Sequence, residues 1–125
     1  MKQEIRSENA PDPTGPYSQG ILFDGQLVFV SGQTALNPNT GAIIGKDISE
    51  QTNQIFDNIE AILGEVSCSL SDILKVSVFL SDFSDFGSMN KVYCSRFQAP
   101  YPARTTIEAG LAAGILVEID VIAAK

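Results

Sequence analysis

The strongest periodic signal runs through residues 47–66, where Ile48, Ile55, Phe56, Ile59, Ile62, Leu63 and Val66 recur at helical spacing among polar residues. A stripe of that period predicts an amphipathic helix, and Asp47, followed three positions later by Glu50, reads as its N-terminal cap. "DILKVSVFLSD" carries the other period. Its Leu74, Val76, Val78 and Leu80 alternate with Ile73, Lys75, Ser77 and Phe79, which predicts a strand with one face greasier than the other. Helical spacing returns from about Phe83, with Phe86, Met89, Asn90, Tyr93 and Phe97 on one side. Upstream, "KQEIRSE" alternates weakly, and the prolines and glycines of "NAPDPTGPYSQG" predict an ordered loop. "ILFDGQLVFVSG" reads as a hairpin about a type I′ turn at Asp24-Gly25, and "NPNTG" as a further turn. After "APYP" come two more strands, residues 103–109 and 116–123, joined by the short link "GLAAGI".

Strands, helix, strand, helix, strands is the order of an α+β fold, with both helices on one face of a mostly antiparallel sheet. Two helices cannot cover the other face. Leu27 and Phe29 on one strand, and Leu116 and Ile122 on another, oppose the residues expected in the core, so that second face is also apolar. A chain this small covers such a face most readily with another copy of itself, which predicts a homo-oligomer.

A length of 125 residues fits one domain spanning 1–125. With 44% hydrophobic and 18% charged residues the chain lies outside the composition of disordered proteins. Eight basic residues against fifteen acidic ones give a net charge of -7, and the basic ones are scattered without forming a run. Nucleic acids are bound through basic stripes that displace counterions, so a nucleic acid partner is not expected. The N-terminus lacks the apolar core of a secretory leader, and no stretch is apolar enough to span a membrane; the expected location is the cytoplasm or an organelle matrix. Cys68, in a predicted loop, and Cys94, in a predicted helix, read as small buried hydrophobes in a reducing compartment.

There is no histidine. Zinc hydrolase sites, Ser-His-Asp triads and Cys-His dyads all rely on imidazole, so any proton carrier must be a carboxylate, a tyrosine, a lysine or water. No metal site is expected. The most suggestive residues lie in the last two strands. If these pair with even-numbered residues opposite even, Arg104, Thr106, Glu118 and Asp120 point the same way, and one small molecule could touch Arg104 and Glu118 together. An arginine fork suits a carboxylate, and a glutamate suits a water molecule. From spacing alone, the same two residues read more readily as an ion pair that merely closes the sheet. Asn90 could be a hydrogen-bonded core amide, and Tyr17 a plug in its loop.

"GPYSQG", "VSGQ", "DFGSMNKVY", "YPART" and "VEIDVIA" resemble, in order and spacing, the signature segments of the YjgF/RidA family of enamine/imine deaminases, and the match runs nearly end to end. The resemblance implies a chorismate-mutase-like α+β fold, a homotrimer and clefts between subunits. It also implies hydrolysis of 2-imino acids such as 2-iminobutanoate and 2-iminopropanoate to 2-keto acids and ammonia, with no cofactor. On the same basis Arg104 would grip the substrate carboxylate and Glu118 would position and activate water. Tyr17, Ser31, Gly32, Asn90, Thr105 and Thr106 would line the substrate site. A binding or regulatory module for small carboxylates is the alternative, and a translation-inhibitor activity is described for some members. Two departures from the pattern stand out: Thr106 replaces a common cysteine, and "GLAAGI" lacks the usual Leu-Pro before the last strand.

Overall fold

The computed structural model describes residues 2–125. The chain forms strands β1 (Lys2–Ile5), β2 (Gly20–Phe23) and β3 (Leu27–Gln33), helix α1 (Ile48–Gly64), strand β4 (Ile73–Leu80), helix α2 (Phe86–Arg96), and strands β5 (Ala103–Glu108) and β6 (Val117–Ala124). As the spacing predicts, α1 begins at Asp47, whose carboxylate accepts a hydrogen bond from the Glu50 N–H at 2.8 Å. This satisfies one of the donors left open at a helix start. Ile55, Phe56, Ile59 and Leu63 are fully buried, each contributing roughly 1.5–3 kcal/mol relative to exposure. Ile62, at the edge of the stripe, is 39% exposed. In α2 the predicted stripe places Met89 and Tyr93 in the core, with Phe97 buried just past the helix end. Cys68 is buried as expected, whereas Cys94 is exposed on α2, and neither forms a disulfide.

Among the described residues there are two sheets. One is the pair β1-β2, and the other has four strands in the order β3-β6-β4-β5. Val76, Val78 and Leu80 of β4, with Val117, Ile119 and Val121 of β6, form the face packed against α1 and α2. The α+β expectation with two helices on one face therefore holds.

Two expected strand pairings do not. The β2–β3 hairpin is absent: β2 pairs antiparallel with β1, from Lys2↔Phe23 to Ile5↔Gly20, and β3 pairs with β6. Gly25 has φ +147°, outside the range a type I′ turn uses; here the turn carries the chain from one sheet into the other. Gln19 braces the segment between β1 and β2. Its amide accepts from Ser7 N–H at 2.7 Å and donates to the Pro11 carbonyl at 2.9 Å, closing the long loop between the strands.

Nor do β5 and β6 pair with each other. Strand β4 lies between them, parallel to β5 and antiparallel to β6. The parallel pairing needs a crossover, which α2 supplies. Two strand spacings amount to about 10 Å, a gap the link at 109–116 readily spans. The link is tied down where it crosses the end of β4: Ala109 N–H donates to the Leu80 carbonyl and Ser81 N–H to the Leu116 carbonyl.

Candidate functional site

Inserting β4 changes which residues share a face. Arg104 of β5 lies beside Val76, on the helix-covered side, whereas Glu118 of β6 lies beside Phe79, on the opposite side. Parity flips across the central strand, so the expectation that Arg104 and Glu118 open into one hollow from paired neighbouring strands is overturned. Within one chain the candidate residues form two separate groups.

The first group surrounds Arg104. Its guanidinium donates from Nη1 to Asn90 Oδ1 at 2.6 Å and packs against three rings, with centroids 4.7 Å (Tyr93), 5.6 Å (Phe86) and 5.7 Å (Tyr17) from Cζ. Cation–π contacts of this kind hold the fork in one orientation. Asn90 and Tyr93 arrive on α2. Tyr17 arrives on the loop before β2, which Ser18 pins to the start of β5: its N–H donates to the Pro102 carbonyl at 3.0 Å and its hydroxyl donates to the Tyr101 carbonyl. The Tyr17 hydroxyl in turn accepts from Thr14 N–H, which together with the positive Arg104 lowers its pKa. Burial pulls the Arg104 pKa below its ordinary value, and Tyr93, Cys94 and Tyr17 partly restore it. A guanidinium nevertheless stays charged in proteins. Among the described residues no carboxylate pairs with Arg104; the three ion pairs involve Arg6 and Arg96. The Arg104–Glu118 ion pair left open by the spacing is thus absent. Thr106, two positions along the same strand face, has a buried Oγ1 with no hydrogen-bond partner among the described residues, and so does the Tyr93 hydroxyl.

The second group lies across the sheet around Glu118. Strand β3 carries one extra residue between Val30 and Gln33, a β-bulge at Ser31-Gly32 opposite β6. A Cβ built on Gly32 would lie 2.4 Å from Glu118 Oε2, so the carboxylate rests against bare backbone that only glycine leaves free. Asp120 faces the same side, paired with Ser77. Thr105 also points to this side but away from Glu118, on the edge strand, where its hydroxyl accepts from Lys75 Nζ at 2.7 Å. Glu118 borders a cleft of about 380 Å³ lined otherwise by Thr34, Leu36, Gly41, Ile43, Ala112, Ala113 and Ile115.

Three contributors were not singled out from the sequence. Phe86 and Tyr93 appear there as stripe residues, yet they form the floor under Arg104. Gln51, in the apolar stripe of α1 and 1% exposed, donates to the Gly114 carbonyl at 2.9 Å and the Gly45 carbonyl at 3.2 Å and accepts from Leu116 N–H at 2.9 Å. It fastens both walls of the Glu118 cleft to the helix. A polar residue interrupting a core stripe was the available signal.

Residues 7–125 match the family model described as Endoribonuclease L-PSP. The chain belongs to this YjgF/RidA family. A RutC family protein of Pyrococcus horikoshii is 46% identical over 126 residues, covering 100% of this chain and 99% of that protein. A mouse protein named 2-iminobutanoate/2-iminopropanoate deaminase is 34% identical over 126 residues, covering 100% of this chain and 93% of its own length. The crystal structure of RidA from an Antarctic Psychrobacter superposes with a TM-score of 0.76 at 36% identity, covering 98% of this chain and 99% of that one. The YjgF/RidA fold predicted from the signature segments is therefore the fold observed. Among the described residues no helix is long and apolar enough to cross a membrane.

Proposed function

We propose that this member of the YjgF/RidA family hydrolyses 2-imino acids to 2-keto acids and ammonia, in clefts where the Arg104 group of one chain meets the Glu118 group of a neighbour in a homotrimer. The observation that carries this reading is the state of Arg104: a half-buried, ring-clamped guanidinium with no carboxylate partner among the described residues. A cation held out of water costs free energy unless an anion joins it. A flat fork with donors to spare suits a carboxylate, in charge-assisted bonds of roughly 1.5–3 kcal/mol each.

The reaction needs little beyond this grip. A 2-imino acid already carries an electrophilic C=N carbon. With its carboxylate on Arg104, that carbon faces the neighbour's Glu118, which takes a proton from water as the oxygen attacks. Glu118 passes that proton to the imine nitrogen, giving a carbinolamine. The same carboxylate then moves the hydroxyl proton to the amine, the C–N bond breaks as the C=O bond forms, and ammonia and the keto acid leave. Positioned general base help of this sort is worth about 10² to 10⁴ in rate. Tyr17, Asn90 and Thr106 lie on the carboxylate side, and the Ser31-Gly32 bulge on the water side. The Thr105 hydroxyl accepts from Lys75 on the edge strand, and Thr105 takes no part in the proposed reaction.

The test adds the purified protein to threonine dehydratase and its substrate, where 2-iminobutanoate forms. Faster appearance of 2-ketobutanoate is expected, with the gain lost in Arg104→Ala while the oligomer persists. Equal rates for wild type and Arg104→Ala would favour a carboxylate-binding module instead.

A further inference from the structure

The cleft beside Glu118 is almost wholly aliphatic. Leu36 and Ile43, joined by a β-bridge, are 36% and 42% exposed although their neighbours are folded. With Ile115, Ala112 and Ala113 they wall about 380 Å³, and Glu118 is the only charged residue in the lining. The far wall is made of small residues. At Gly114, φ is +81°, and an added Cβ would come within 3.1 Å of Ile43 Cδ1, so the link leans directly on the loop opposite. Gln51 holds both walls, through Gly45 on one side and Gly114 and Leu116 on the other. The cleft is preformed, which is the usual condition of a specificity pocket.

We infer that this cleft receives the aliphatic side chain of the substrate, so that the protein prefers 2-imino acids with branched or extended aliphatic chains over 2-iminopropanoate and rejects 2-imino diacids. The inference rests on the deaminase reading above. The reacting carbon is trigonal. Once its carboxylate is drawn to Arg104, its nitrogen and side chain both point toward the Glu118 group, where the surroundings differ on two sides: the polar Ser31-Gly32 bulge and Asp120 on one, the apolar cleft on the other. A side chain gains by leaving water for the apolar side. A second carboxylate placed there would face Glu118 with no cation in the lining to offset it.

The experiment measures kcat/KM with imines generated in situ from alanine, leucine and aspartate by amino acid oxidases. In parallel, calorimetry follows binding of the stable keto acids pyruvate and 4-methyl-2-oxopentanoate. The leucine-derived imine is expected to exceed the alanine-derived one by about 10-fold or more, the scale set by added methylenes in an apolar pocket, with the aspartate-derived imine slowest. Ala112→Phe, and the milder Ala113→Leu, narrow the cleft and should shrink the leucine-to-alanine ratio by about 10-fold. Equal ratios in wild type and both variants, in kinetics and in binding alike, overturn the pocket even if imines are turned over. Keto acid binding that keeps the ranking, without any imine turnover, sustains the pocket and removes the deaminase reading.

Discussion

What Arg104 can hold is set by the atoms around it. Nη1 donates to Asn90 and three rings crowd Cζ, so a carboxylate would meet the remaining donors of a fork held in place. Lysine cannot reproduce this, since an ammonium is a point charge without a fork. Arg104→Lys is expected to lower kcat/KM on 2-iminobutanoate by about 100-fold, and Asn90→Ala to raise KM by about 10-fold with little change in kcat, as loss of a hydrogen bond to a charged group implies. Steady-state kinetics on correctly sized oligomers checks both. Beneath the fork, Tyr93 poses a different question. Its hydroxyl is buried without a partner among the described residues, and burial pushes its pKa far above the ordinary tyrosine range. The unfolded chain ionises this group near pH 10 and the folded chain does not. Its contribution to stability is therefore complete below about pH 10 and declines as pH rises further. Tyr93→Phe removes both the orphan hydroxyl and that alkaline slope. It should be about 1 kcal/mol more stable at neutral pH, with the advantage widening by pH 11 in denaturant titrations. A loss of stability at neutral pH would mean that the hydroxyl is hydrogen-bonded to a buried water.

Elements of regular structure position the second group, and their irregular residues are the sensitive ones. Gly32→Ala puts a methyl where Glu118 Oε2 now lies, 2.4 Å from the added carbon. The carboxylate must swing away, so kcat should fall by at least about 10-fold while circular dichroism stays unchanged. Gln51→Leu keeps the volume of the core but strands Leu116 N–H and the Gly114 carbonyl. With roughly 1–3 kcal/mol for each buried group left unpaired, a loss of at least about 2 kcal/mol is expected by urea denaturation. Both helices and β4 were legible in the sequence because local periodicity carries them, and Arg104 and Glu118 stood out through the signature segments, whereas Phe86, Tyr93 and Gln51 were hidden among stripe residues. Nor were the partners of β2 and β5 legible. Asp24-Gly25 looks like a hairpin turn, but its backbone conformation follows from where β3 docks, and a short link between two strands does not reveal a third strand lying between them. The division of the site follows from the position of β4, since exchanging a direct pairing for one through β4 reverses the side to which every residue of β5 points relative to β6.

At the scale of the whole molecule, the proposed reaction needs both groups, and within one chain they lie on opposite faces of the sheet. Glu118 stands on an inner strand and Arg104 on an edge strand, separated by the thickness of the sheet. The Glu118 side also bears exposed apolar residues, with Phe29 at 71%, Leu27 at 48% and Ile107 at 46%, the kind of surface that a second copy covers. If a neighbour supplies the missing half, Arg104→Ala and Glu118→Ala chains are each inactive alone yet complementary together. Unfolded in equal amounts and refolded as a mixture, they form some junctions at which an intact Arg104 from one parent meets an intact Glu118 from the other. Random assembly around a ring puts both intact halves at about a quarter of the junctions, so activity should return to about a quarter of the wild-type value. A site contained within one chain would give no recovery, because every chain in the mixture lacks one half. Refolding each variant separately and then mixing, under conditions where subunits do not exchange, should likewise give none. Rescue only after joint refolding would therefore assign the two halves to different copies.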